Sequence, residues 1–106
     1  MRIATWNINS VTVRVERLTA WLATAAPDVL CLQELKVPTE DFPAGQVEAL
    51  GYHVAAHGAA RWNGVAILSR VGLADVVRDL PAQPAFEGSV EPRAIAATCG
   101  GIRVWS

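Results

Sequence analysis

Pro27-Asp28-Val29-Leu30-Cys31-Leu32-Gln33-Glu34 is the stretch on which the fold turns. Val29 to Leu32 is a continuous apolar run, too short for a helix and bounded by polar or turn-forming residues on both sides, which predicts a strand buried on both faces. Upstream, Val11 to Ala26 carries Val11, Val15, Leu18, Leu22 and Ala25 three or four residues apart, and Pro27 closes the pattern, so an amphipathic helix is expected there. Before it, Arg2 to Trp6 is rich in β-favouring residues and ends in the turn formers Asn7-Ile8-Asn9-Ser10, predicting another buried strand and a loop. Strand, helix, strand is a βαβ unit, whose two strands run parallel and finish on the same edge of a sheet.

Downstream, Lys36 to Pro43 reads as a polar loop, and a short helical stretch from Gln46 to Leu50 stops at Gly51. Tyr52 to Ala56, Gly64 to Ser69 and Leu73 to Arg78 read as successive strands. Pro81 to Pro92 is a proline-rich surface loop, Arg93 to Thr98 is a strand, and Gly100-Gly101 is a two-residue hairpin signal leading into Ile102 to Trp105. Val104 and Trp105 are both expected to face a core. Helices come early and strands late, so residues 1–106 read as the first portion of a larger α/β domain, with further strands expected beyond it.

A little over half of the 106 residues are apolar, enough for one small core. The net charge of −1 provides no overall positive field, so any nucleic-acid contact has to come from a local patch. Cys31 and Cys99 lack metal or redox spacing and read as buried free thiols. The N-terminus has no secretory-signal pattern, and no apolar run approaches the ~18 residues of a membrane span. The expectation is a soluble, cytoplasmic protein without membrane contact.

Asn7 and Glu34 each follow one of the two parallel strands, so both side chains should project into the crevice at the carboxyl ends, where open α/β sheets place ligands. A carboxylate and an amide carbonyl are hard oxygen donors suited to Mg²⁺ and poor for zinc. Lys36, the only lysine of the chain, is placed to hold Glu34 or Asn9, or to meet a phosphate as a point charge. Against this, Asn7 alone can be a turn residue, and Glu34 with Lys36 a solvated loop pair. His53 and His57 read as structural or exposed, not as ligands.

Taken together, Thr5-Trp6-Asn7-Ile8-Asn9-Ser10, Pro27 to Lys36, Leu50-Gly51-Tyr52 and Gly64-Val65-Ala66-Ile67-Leu68-Ser69-Arg70 resemble the exonuclease III family in order and spacing. Phe42-Pro43, His57-Gly58 and Glu91 to Ala96 fit the intervening pattern. Leu35 departs from it, standing where the family commonly has Thr; its side chain need not reach a metal. The resemblance implies an α/β (α+β) fold, part of a four-layer α/β-β/α sandwich of the DNase I-like type, with residues 1–106 the N-terminal part of a single endonuclease/exonuclease/phosphatase domain. It implies a DNA repair nuclease that hydrolyses phosphodiesters at abasic sites and at 3′ ends of double-stranded DNA, using Mg²⁺ (Mn²⁺ as an alternative), as a monomer when complete. By the same resemblance Asn7 and Glu34 are metal-site residues, Asn9 and Lys36 support the site and the substrate phosphate, and Arg93 lies near the DNA backbone. Trp62 and Asn63 sit in a loop that could meet DNA, but an aromatic under a loop is more often a packing residue, and they are assigned no role.

The tyrosine, the Asp-x-Asn motif and the terminal Asp and His that complete the family's site have no match here; the chain's only tyrosine is Tyr52. No catalytic residue is therefore assigned, and these 106 residues on their own are expected to be inactive. Two other readings stand beside this one: another phosphodiesterase or phosphatase of the same superfold, and a non-catalytic fragment.

Overall fold

A computed structural model describes all residues from Met1 to Ser106. Strand β1 (Ile3–Asn7) leads into helix α1 (Val11–Ala25) and strand β2 (Val29–Gln33). A 3-10 turn at Thr39–Asp41 and helix α2 (Ala44–Glu48) precede β3 (His53–His57), β4 (Val65–Ser69), β5 (Ala74–Arg78), β6 (Ile95–Cys99) and β7 (Ile102–Trp105). β1 pairs with β2 in parallel, Ile3 opposite Val29 and Asn7 opposite Gln33, as the βαβ reading requires. The first sheet has the order β1-β2-β4-β3 and the second β5-β6-β7.

Period-two alternation sorts the buried strands between two cores. Leu30, Leu32, Ala66 and Leu68 face the helices and join Leu18, Leu22 and Val47 in one cluster. Val29, Cys31, Val65 and Ile67 face the other way and meet Ile95, Ala97, Cys99 and Val104 of the second sheet. Three layers of the expected four therefore lie within these residues: helices, first sheet, second sheet. Helices on the outer face of the second sheet are not formed here, and Val77, Ile102 and Trp105 stand exposed.

Several expectations need correction. β1 is not buried: it is the edge strand, with Ile3 48 % exposed, because β2 flanks it on one side only and no strand pairs with its outer edge. Of Val104 and Trp105 only Val104 is buried, since neighbouring residues of a strand point to opposite faces. The second helix begins at Ala44, earlier than Gln46, and the loop before it contains the 3-10 turn. The segment 81–92 carries a tight turn in which Phe86 and Ser89 bond each other's backbone in both directions. The hairpin at Gly100-Gly101 forms as expected, with φ of 55° and 83° and Cys99 opposite Ile102, a left-handed pair that glycine adopts without steric cost.

The sheets are tied to one another at both sides. Ser106 donates its hydroxyl to the Leu32 carbonyl at 3.1 Å, and Arg78 donates from Nε and Nη2 to the Ala56 carbonyl at 3.2 and 3.0 Å. His57 Nε2 lies 2.9 Å from Asp79 Oδ1, which makes this histidine an inter-sheet tie; His53 is exposed. Cys31 and Cys99 are buried free thiols, and burial pushes the Cys31 thiol up.

Asp28 fixes the start of the edge strand. Its carboxylate accepts the Arg2 backbone N–H at 2.7 Å and Arg70 Nε at 3.1 Å, and these bonds, the Arg2 one first, hold its pKa below the ordinary 3.8. A carboxyl depressed by folding adds stability that is complete above the unfolded value and is lost as pH falls through the folded one. Urea unfolding of the chain between pH 6 and pH 2.5 should therefore show a loss of stability below about pH 4 that is shallower in Asp28→Asn; parallel profiles for the two proteins would rule the linkage out.

Candidate metal and phosphate site

At the carboxyl ends of β1 and β2 the ladder does not stop where the strands do. Ile8 N donates to Gln33 O at 3.0 Å, Ser10 N to Glu34 O at 2.9 Å and Val11 N to Leu35 O at 3.0 Å. From the other side, Leu35 N donates to Gly64 O at 3.1 Å and Lys36 N to Asn63 O at 2.9 Å. The loop after β2 is thus held between the β1–α1 loop and the turn before β4.

This loop is bent by left-handed residues. Glu34 and Lys36 have φ of 56° and 58°, and Asn9, Ser10 and Asn63 have 47°, 85° and 62°. A non-glycine residue in this region costs about 1–3 kcal/mol and persists only where the surroundings over-determine it. The result is a reversal of side-chain direction: Leu35 is fully buried in the helix-side core, while Glu34 and Lys36 face outward on either side of it. Leu35 therefore does not reach the polar site.

The outward residues meet. Asn7 Nδ2 donates to Glu34 Oε2 at 2.5 Å. Lys36 Nζ donates to Asn9 Oδ1 at 2.5 Å and lies 3.7 Å from Glu34 Oε1. The four residues singled out at the two strand ends, Asn7, Asn9, Glu34 and Lys36, form one polar cluster. Glu34 is the only carboxylate in it, and no group of three or more His, Cys, Asp or Glu side chains assembles anywhere in the chain. The donor set, one accessible carboxylate beside an amide, suits Mg²⁺, which keeps most of its water and takes one or two protein carboxylates. It would not satisfy zinc.

Arg93 is not part of this cluster. It lies 62 % exposed, its Nη2 3.1 Å from Glu91 Oε2, on the wall of an open cleft of about 770 Å³ that Arg61, Trp62, Asn63 and Phe86 also line. What links cleft and cluster is Asn63-Gly64, to which no role was assigned from sequence. The Leu-Lys backbone hangs on their carbonyls, and Trp62 beside them is 66 % exposed. The Asn-Gly pair between two predicted strands was the available signal for a tight turn with φ above zero.

Comparisons with known proteins identify the family and the fold. The family model described as the Endonuclease/Exonuclease/phosphatase family matches residues 4–105. Exodeoxyribonuclease III of Haemophilus influenzae is 43 % identical over 70 residues, 66 % of this chain and 26 % of that protein. A 3′-5′ exonuclease from Neisseria meningitidis superposes with a TM-score of 0.91 at 44 % identity over 99 % of this chain and 40 % of its own. An AP endonuclease from Archaeoglobus fulgidus gives 0.90 at 39 % identity, covering 99 % of this chain and 39 % of that one. A 3′ phosphatase from Neisseria, solved with a product DNA hairpin, is likewise 44 % identical with a TM-score of 0.91. The chain thus spans about a quarter of the curated relative, 26 %, and about two fifths of the solved ones.

Gly64 tests how tightly the loop is held. With φ of 98°, an added Cβ would lie 2.9 Å from Leu35 Cβ, so Gly64→Ala combines a disfavoured backbone with a clash against the fully buried residue between Glu34 and Lys36. We expect it to destabilise the chain by about 1–3 kcal/mol or more in urea unfolding. Gly45→Ala in α2, where nothing lies within 4 Å, should instead stabilise by about 0.4–1 kcal/mol. Equal effects of the two substitutions would contradict the assignment.

Proposed function

Since the chain belongs to the endonuclease/exonuclease/phosphatase family, we propose that it supplies the Asn7–Glu34 portion of a Mg²⁺-dependent DNA repair nuclease of the exonuclease III type. The substrates of this reading are abasic sites and 3′ ends of double-stranded DNA. The observation that carries it is the meeting of Asn7 with Glu34, with Lys36 and Asn9 alongside, at the ends of two parallel strands. Relatives described as an exodeoxyribonuclease, an AP endonuclease and a 3′ phosphatase with a DNA product support the substrate class.

In this reading Glu34 and Asn7 hold the ion. When bound, Mg²⁺ supplies charge stabilisation to the phosphoryl and leaving oxygens of a phosphodiester. Lys36 offsets the charge of Glu34, orients Asn9 and presents a point charge to a substrate phosphate. Arg93, across the Asn63-Gly64 turn, is assigned to the DNA backbone, a role its exposure permits. His57, bonded to Asp79 between the sheets, is not one of the four residues of the cluster. The base and the remaining ligands have to come from residues outside the cluster, so turnover is assigned to a chain of the relatives' length and not to these 106 residues alone. Cys31 and Cys99, buried as free thiols, are consistent with the reducing cytoplasm in which we place the protein.

The test is cleavage of a labelled duplex carrying one abasic site, by this chain and by this chain continued with the remaining residues of the Haemophilus influenzae enzyme. The continued protein should cut with Mg²⁺, stop with EDTA, and lose roughly 10²-fold or more of its rate in Glu34→Gln, the scale of removing a charge-stabilising group. Activity that survives EDTA and Glu34→Gln, or an inert continued protein, would overturn the proposal.

A further inference from the structure

Glu91 joins the cleft to the polar cluster. Its Oε2 accepts a hydrogen bond from Asn63 Nδ2 and lies 3.1 Å from Arg93 Nη2, so one carboxylate oxygen serves both residues. Its own backbone is fixed, with the Glu91 carbonyl accepting from Gln83 Nε2 at 2.7 Å and from Arg93 N at 2.9 Å. One residue on, the Pro92 carbonyl accepts Gly64 N at 3.1 Å. The Asn63-Gly64 turn is therefore gripped through a side chain at one residue and a main chain at the next.

That grip bears on the strained loop. Asn63 occupies φ of 62°, and its carbonyl and that of Gly64 accept Lys36 N and Leu35 N. The path from Glu91 to the cluster is thus short and bonded throughout: Glu91 to Asn63, Asn63 to Lys36, Lys36 to Glu34 and Asn9. The Glu91 side chain is only 20 % exposed, so its bond to Asn63 is sheltered from solvent, whereas Arg93 on its other side stands 62 % exposed.

We propose that Glu91 is a positioning residue for the Asn7–Glu34 site, setting Arg93 and the Glu34–Lys36 loop in register through Asn63. The proposal rests on the metal reading above only for its functional consequence; the structural coupling stands on its own bonds. A ligand spanning the cleft and the cluster, such as a DNA strand with one phosphate at Arg93 and another at Lys36, would meet two cations whose spacing this carboxylate sets.

The test is two-dimensional amide NMR of the chain with Mg²⁺ titration, comparing Glu91→Ala with Glu91→Gln. Glu91→Ala should move the amide resonances of Asn63, Gly64, Leu35 and Lys36, and weaken the Mg²⁺ midpoint read at Asn7 and Glu34 by roughly threefold to tenfold, at or below the range for groups that orient a ligand directly. Glu91→Gln, which keeps an acceptor oxygen, should restore both. The proposal fails if Glu91→Ala disturbs only residues 91–93 and leaves Leu35, Lys36 and the midpoint as in the parent. Should Glu91→Ala not fold, Asn63→Gly, which keeps the left-handed turn and removes only the side chain, is read in the same way. If the parent shows no Mg²⁺ response at all, the metal reading falls, and the Leu35 and Lys36 resonances alone decide the role of Glu91.

Discussion

The polar site depends on backbone hydrogen bonds that continue past the ends of the strands. Five of them bind the end of β2 and the loop after it to their two neighbours, from Ile8 N to Gln33 O on one side to Lys36 N to Asn63 O on the other. Each pairs a main-chain group that would otherwise face the cost of being left unsatisfied near a core. Together they make the left-handed conformations of Glu34 and Lys36 the best available ones, despite the steric penalty. Strain of this kind places a buried leucine between two outward polar residues, an arrangement that an extended strand or a helical turn would not give.

The same constraint explains the division of labour between the sheets. The first sheet, covered by helices on one face and by the second sheet on the other, is rigid enough to project Asn7 and Glu34 from adjacent strand ends. The second sheet contributes no residue to that cluster. It brings the Glu91–Arg93 segment against the turn that supports the loop, and the ties at Ser106, Arg78 and His57 keep the two sheets in register. The exposed outer edge of β1 and outer face of the second sheet mark the places where these residues leave apolar and backbone groups without a protein partner.

Much of this was readable in the sequence. The apolar run at Val29 to Leu32, the helical spacing from Val11 and the Gly100-Gly101 turn are local signals, and local signals survive folding when nothing contradicts them. The convergence of Asn7 and Glu34 followed from βαβ topology, and the motif resemblance agreed with it. Burial of β1 and of Trp105 was misjudged, because an apolar strand reads alike at the centre and at the edge of a sheet. The contact between Asn63 and Glu91 was missed, since it joins residues 28 apart in two separate loops and carries no periodic trace.

Sequence by itself therefore determined the elements, the parallel β1–β2 unit, the family and the residue types that gather at the strand ends, all of which rest on short-range patterning and chain connectivity. Only the tertiary structure decided the sheet order, which strand faces solvent, the outward turn of Glu34 and Lys36 about Leu35, and the bonds by which Glu91 and Asn63 hold that turn. These depend on which distant backbone groups pair once the sheets pack, and hydrogen bonds between remote loops are chosen by the geometry of the whole and not by the residues on either side of them.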